Sequence, residues 1–450
     1  MDLEKCKPEI LRDMAELVGI PSVTSDREKN REALDWLIQR AKSMGLLAMY
    51  AVPGEVAIVA NPSEDLLRNI GTIDELAAAV RIADKETVGI LAHVDVVPAD
   101  GEWTVDPFSG ESQDGFLWGR GVTDDKGPLL LCLHAMAELE RCYGRAGLTR
   151  NVIMIIGSRE EEAWSDMEAF NRLGLKPDFG FTPDGEFPIT NREKGYIDLA
   201  IRFKRLDEDR NISMEGGTAA NVVPAFAKLS IHGIGDMEFR GAATHTSRPE
   251  KGINSIVKLA CETDRNKLTK NTGRILDIIE NDFGDCFGSG IGMDSGEQHV
   301  HGEYFHRNVL SPTILSTHED HYSLVVNMRT TWGYDRERVS EILKKSAEDW
   351  EAEIEIIESM DPIMVSRNSE FLKTLGDVYR SQRSEEEIFE LAYGTSYAKA
   401  MPNIVSFGPI FPGAEDSCHE VNERMELEQF WQCGTIYFQA IAALAVLHKS

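Results

Sequence analysis

Residues 87–98 read TVGILAHVDVVP. From Thr87 to Ala92 the run is apolar at almost every position, the pattern of a strand covered on both faces, as in parallel sheets flanked by helices. His93 and Asp95 interrupt it at its carboxyl end, where an unpaired charge is expensive to bury. Two more bare apolar runs share this design. NVIMIIGS (151–158) continues into REEEAW, which brings Glu160, Glu161 and Glu162, and FGFTPDG (179–185) carries Asp184 at its end. Between the first two runs lies GRGVTDDKGP (119–128), which sets the adjacent carboxylates Asp124 and Asp125 in a glycine-rich turn ahead of a helical stretch, Leu129 to Arg141. Buried strands alternating with helices over 80–185 predict an α/β fold with a doubly wound, mainly parallel sheet. In such sheets ligands sit beyond the carboxyl ends of the strands.

Outward from this centre, residues 8–18 and 29–44 have the spacing of amphipathic helices, with Leu34, Leu37, Ile38 and Ala41 on one face of the second. The segment LAMYAVPGEVAIVA (47–60) is β-rich. From about Lys194 the texture changes. GYIDLAIRFKRL, AFAKLSIHGI and HYSLVVNMRTTW alternate like half-exposed antiparallel strands, with helices expected near 252–262 and 335–350. Helix–strand alternation returns after Glu370, and a long helix is expected over 424–447. The chain therefore divides into a catalytic domain in two parts, 1–193 and 365–450, around an inserted α+β lid domain, 194–364.

Lys and Arg number 47 against 76 Asp and Glu, a formal net charge of −29. Such a surface repels nucleic acid and anionic membrane, so neither is expected as a partner. The N-terminus, MDLEKCKPEILRDMAELVGI, lacks the basic-then-apolar order of a signal peptide. Seven cysteines are scattered, odd in number and never spaced C-x-x-C, which fits reduced thiols and a cytoplasmic location better than a disulfide framework.

Each polar residue at the strand ends has an ordinary reading alone. An Asp before a helix caps it, and a Glu run at a helix start favours the dipole. Together they are a different matter, because imidazole and several carboxylates at one sheet edge repel one another unless a cation lies among them. That donor mixture suits zinc, with manganese as the harder alternative.

HVDVVPADGEW, GRGVTDDKGP, GSREEEAW, TPDGEFP, GAATHTSRPEKGINS and GAEDSCHEVNER, in this order, resemble the co-catalytic dinuclear zinc peptidase family of aminoacylase, acetylornithine deacetylase, succinyl-diaminopimelate desuccinylase and carnosinase. The chain is most similar to its bacterial peptidase V-type dipeptidases. The resemblance implies two divalent metal ions, zinc first, manganese or cobalt otherwise. His93 and Asp184 would hold one, Glu161 and His419 the other, and Asp124 would bridge them ahead of a cis peptide to Asp125. Asp95 would orient the His93 imidazole. Glu160 would be the general base for a water shared by the metals. The family's usual Asp-Glu-Glu-x-Gly appears here as REEEA, with Arg159 and Ala163 at the outer places. The third acid leaves a Glu161/Glu162 register as the alternative.

The resemblance further implies that His245 stabilises the oxyanion, that Asn221 contacts substrate, and that Arg329 grips the substrate carboxylate. Gly394 and Ser396, in the turn GTSY, would offer backbone groups to the same carboxylate. The expected activity is that of a metal-dependent dipeptidase acting on small peptides, β-alanyl or Xaa-His types included. An N-acyl-amino-acid deacylase or desuccinylase is the alternative, and a metal-free scaffold protein the alternative from another class. The long lid implies a monomer, with a homodimer as the other option. His299, His301 and His306 read as lid loop, Cys418 as a bystander, and Trp103, Pro107 and Phe108 as packing behind the His93 loop.

Overall fold

The computed structural model describes residues 2–61, 70–82, 85–144, 147–162 and 164–446. The chain forms two compact units: one comprises Met1–Asn191, Val365–Glu390 and Ser396–Ser450, the other Arg192–Met364 and Leu391–Thr395.

The first unit is built on a mixed, mainly parallel sheet. Its strands run in the order Leu47–Val52, Val56–Asn61, Asn151–Gly157, Thr87–His93, Phe179–Thr182, Ile404–Ser406, Ile189–Glu193. The four central strands are mutually parallel. All seven residues of Thr87–His93 and of Asn151–Gly157 are buried, which is why both read as unbroken apolar runs. The register aligns their ends, pairing His93 with Gly157, while Ser406 pairs with Thr182 on the far side. The helices Leu3–Val18, Arg27–Ser43, Lys126–Tyr143, Glu370–Gln382 and Leu427–Ala445 contribute to one continuous core with the sheet.

Two helix starts and one further helix differ from the sequence reading. The first helix begins at Leu3 and contains Pro8, because Leu3 and Cys6 bury into the core and their packing outweighs the missing proline donor. The last helix begins at Leu427, since Arg424–Glu426 pair as a strand with Phe116–Trp118; its expected end, Leu447, is outside the described residues. The helix Ile73–Ile82 was not foreseen.

The second unit carries a seven-stranded sheet in which every pairing is antiparallel, in the order Gly235–Arg240, Phe226–Ile231, Ile212–Gly216, Val309–Thr317, His321–Thr330, Gly195–Lys204, Ala352–Met360. The helices Ser255–Glu262 and Arg336–Trp350 match the expected ones within a few residues. Lys270–Phe283 is a third, unexpected helix. Thr269 caps it by accepting from the Thr272 amide, and Ile275, Leu276, Ile279 and Phe283 enter a core separate from that of the first unit. All seven cysteines are free, and among the described residues no helix is long and apolar enough to cross a membrane.

Candidate metal centre

Parallel pairing brings three chain segments to the same sheet edge. Beyond Thr87–His93 lies Asp95, beyond Asn151–Gly157 lie Glu160 and Glu161, and beyond Phe179–Thr182 lies Asp184. Gly157 allows the second crossing, because a Cβ there would sit 2.3 Å from the Tyr397 hydroxyl and 2.5 Å from Asp166 Oδ2. Asp124 comes from the turn before Lys126–Tyr143, and the Asp124–Asp125 peptide is cis, as the resemblance implied. His419 arrives from the C-terminal segment at φ 65°, a left-handed conformation that non-glycine residues adopt at a cost.

These side chains form two sets that share Asp124. His93, Asp124 and Asp184 each offer a ligand atom within 4.8 Å of the others, as do Asp124, Glu161 and His419. His93 Nε2 lies 3.0 Å from Asp124 Oδ1 and 3.6 Å from Asp184 Oδ2. His419 Nε2 lies 3.0 Å from Asp124 Oδ2 and 3.1 Å from Glu161 Oε2. The two carboxylate oxygens of Asp124 therefore face different histidines.

The donor set fits divalent cations. His93 Nδ1 donates to the Asp95 main-chain carbonyl at 2.9 Å, so the neutral ring directs the lone pair of Nε2 towards two carboxylates. Despite their proximity, His93 Nε2 and Asp124 Oδ1 are buried without a hydrogen bond. Added positive charge, from a cation or from a proton on the ring, satisfies that arrangement, and the acid–base balance of the protein groups points the same way. Burial would lower His93, but Asp124, Asp184 and Asp95 outweigh it and raise the ring well above its usual range. Asp124 and Glu161 raise His419 to about 11. Burial, then the Asp184 carboxylate, pushes Glu160 well up, and burial with Asp124 pushes Glu161 up to about 7. Acids that resist ionising beside histidines that hold protons are what a cation-binding cluster becomes as protein alone.

Asp95 meets the His93 ring through its main-chain oxygen at 2.9 Å and through Oδ1 at 3.4 Å from Nδ1. Its carboxylate also accepts from Thr24 Oγ1 at 2.9 Å and from the amides of Glu160 and Glu161 at 3.2 and 3.3 Å, holding the Glu160–Glu161 turn under the sheet edge. Of the three consecutive acids, Glu161 meets Asp124 and His419, whereas Glu162 is exposed and pairs with Arg159 at 3.1 Å. Ala163 is outside the described residues. Trp103 ties the loop after His93 to the Asp124 loop: its Nε1 donates to the Ala99 carbonyl at 3.1 Å and the Arg120 guanidinium lies over its ring, while the Arg120 amide donates to the Pro107 carbonyl.

Sequence reading missed Thr24, Tyr397 and Glu423. Tyr397 is fully buried, donates to Asp166 and lies edge-on to the His93 ring. Glu423, also fully buried, accepts from the amides of the Asp124 loop. Neither motif spacing nor composition marks such partners, since each contact joins residues far apart in the chain, from 71 positions for Thr24 to 302 for Glu423.

Within the second unit, Asn221 and His245 come together because Val222 pairs with His245 and the Thr246 amide donates to the Asn221 carbonyl. His245 Nδ1 accepts from the Ser247 amide at 3.2 Å and lies 2.8 Å from its hydroxyl, which leaves the neutral ring's proton on Nε2. Burial and then the Arg329 charge keep His245 below its usual range. Arg329 is itself buried beside the Tyr196 ring, and its Nε has no hydrogen-bond partner. Gly394 belongs to this unit, whereas Ser396 belongs to the first, where its hydroxyl meets Ser406 and accepts from the Ala398 amide. His299 lies on a short hairpin strand and packs on Tyr304, while His306 lies just beyond its mate and packs on Tyr393; neither they nor Cys418 join a candidate ligand group among the described residues.

Residues 89–443 match the model of peptidase family M20/M25/M40. A Bacillus subtilis protein named "Putative dipeptidase YtjP" is 30% identical over 396 residues, covering 80% of this chain and 83% of its own. Human carnosine dipeptidase 1 has the same fold at a TM-score of 0.60 and 16% identity, over 99% of this chain and 98% of its own. Aminoacylhistidine dipeptidase from Vibrio alginolyticus gives a TM-score of 0.62 at 16% identity, over 98% of both chains. With a bridged pair of carboxylate–imidazole sets at its sheet edge, the chain belongs to peptidase family M20/M25/M40 and is a metallopeptidase.

Proposed function

We propose that the chain is a dinuclear metal-dependent dipeptidase. One observation supports this most: the two oxygens of Asp124 face two different histidines, so one carboxylate serves both ligand sets. His93, Asp184 and Asp124 would hold one ion, Glu161, His419 and Asp124 the other, with zinc preferred and manganese or cobalt as alternatives. When bound, such a pair supplies Lewis acidity that lowers the pKa of water towards about 7 and polarises a carbonyl.

The chain's own groups then divide the remaining work. Glu160 is outside both ligand sets, and its burial beside Asp184 raises its carboxyl, which suits a group that takes a proton from the attacking water and returns it to the leaving amine. Asp95 holds the amides of Glu160 and Glu161 and so fixes the base relative to the ligand beside it. Neutral His245, with its proton on Nε2, suits donation to a developing oxyanion. Arg329, a buried guanidinium with an unsatisfied Nε, suits a substrate carboxylate, with Asn221, Gly394 and Ser396 as further substrate contacts. The names of the relatives support free dipeptides as substrates, with β-alanyl and Xaa-His types among them; the length of the lid, 194–364, is what favours a monomer.

A substrate panel tests the reading. Metal-loaded protein should hydrolyse unblocked dipeptides, β-alanyl-histidine among them, and leave acetyl- and succinyl-amino acids untouched. The opposite preference would make it a deacylase, and turnover of neither set would return the chain to the scaffold alternative.

A further inference from the structure

The loop that delivers Asp124 is held by a residue from the other end of the chain. Glu423 is fully buried and lies four residues after His419. Its Oε1 accepts from the amides of Thr123 at 3.0 Å, Gly121 at 3.1 Å and Asp124 at 3.4 Å. Its Oε2 lies 3.1 Å from the Gly121 amide and accepts from Arg120 Nη1 at 2.8 Å. The same two segments are tied by the Gly119 amide to the Glu423 carbonyl, by Arg120 Nη2 to the His419 carbonyl, and by the Arg424–Trp118 strand pairing.

This clasp joins the two chain segments that supply Asp124 and His419. Residues 121–124 contain no regular structure that would otherwise fix their amides. An ionised carboxylate is acceptor-only and takes several donors at once. Glutamine in its place would turn a donor towards either the Thr123 and Gly121 amides or the Arg120 guanidinium, so no orientation restores the set.

We propose that Glu423 is a positioning residue for the metal centre, holding the Asp124 loop in register with His419. The inference rests on the metal reading above, and it acts through Asp124 rather than through substrate. Groups that orient metal ligands in this way typically contribute about 10–100-fold to metal affinity.

The test is calorimetric titration of chelator-stripped full-length protein with Mn²⁺, alongside thermal unfolding followed by circular dichroism. Glu423→Gln should weaken Mn²⁺ binding by about 10–100-fold. Because it also strands the buried Arg120 charge, it should lower thermal stability. The double variant Arg120→Gln/Glu423→Gln removes the stranded charge and keeps the test open where the single variant folds poorly. It should regain stability without regaining Mn²⁺ affinity. Recovery of wild-type affinity in the double variant would reduce Glu423 to a partner for Arg120, and undiminished affinity in the single variant would sink the proposal outright. Wild-type protein that takes up no Mn²⁺ or Zn²⁺ would overturn the metal reading, and this inference with it, whereas the first two outcomes overturn this inference alone.

Discussion

Glu160 and Glu161 are chain neighbours that share burial and the Asp95 carboxylate, yet only Glu161 faces His419. Removing each should therefore have a different consequence. Glu160→Ala should keep its metal while kcat falls by about 10²–10⁴-fold, the usual contribution of a positioned proton carrier. Glu161→Ala should lose metal from one site, seen as a halved stoichiometry. Metal loss from Glu160→Ala with retention in Glu161→Ala would reverse the assignment. At this scale the gathering of His93 and the acids at one sheet edge was legible, because together they repel one another without a cation, whereas His419 and the pairing of the groups came only from the resemblance. The partners that hold them were not. Thr24 and Glu423 are ordinary polar residues until the fold places them against Asp95 and the 121–124 amides.

Elements were legible where burial was complete. Thr87–His93 and Asn151–Gly157 are covered on both faces, so their sequences carry no polar alternation to confuse the reading. Lys270–Phe283 went unread although Ile275, Leu276, Ile279 and Phe283 keep the spacing of one helical face; Gly273 in its first turn argues locally against a helix, and packing in the second core overrides it. The first helix likewise runs through Pro8 because packing decides. A close element contact lies at Gly157, where the strand end meets Tyr397 and Asp166. Gly157→Ala should destabilise the protein by about 1–3 kcal/mol, as over-packing does, and urea unfolding would measure it. Tyr397→Phe in the same chain should recover part of the loss by vacating the position closest to the new methyl. No loss in Gly157→Ala would show that the strand end and Tyr397 separate freely.

For the whole molecule, the excess of acids accounts for charge but not for where stability depends on pH. In the second unit, burial and then the charges of Arg329 and Arg248 lower Lys194 to about 7. Between that value and its ordinary one, the unfolded chain binds a proton that the folded chain does not, so this group's contribution rises with pH and is lost as pH falls through about 7. Relative to Lys194→Met, the wild-type protein should gain on the order of 2 kcal/mol between pH 7 and pH 9, read from denaturant unfolding at the two values. A gap between the two proteins that stays constant over that range would contradict the folded-state value.

On the proposed reading one carboxylate, Asp124, joins two cation sites. Metal counting by inductively coupled plasma mass spectrometry, after loading with Zn²⁺ and removal of excess, reads this out. Two ions per wild-type chain are expected, and the loss of both from Asp124→Asn. One ion or none in the wild type, or two retained in Asp124→Asn, would contradict it.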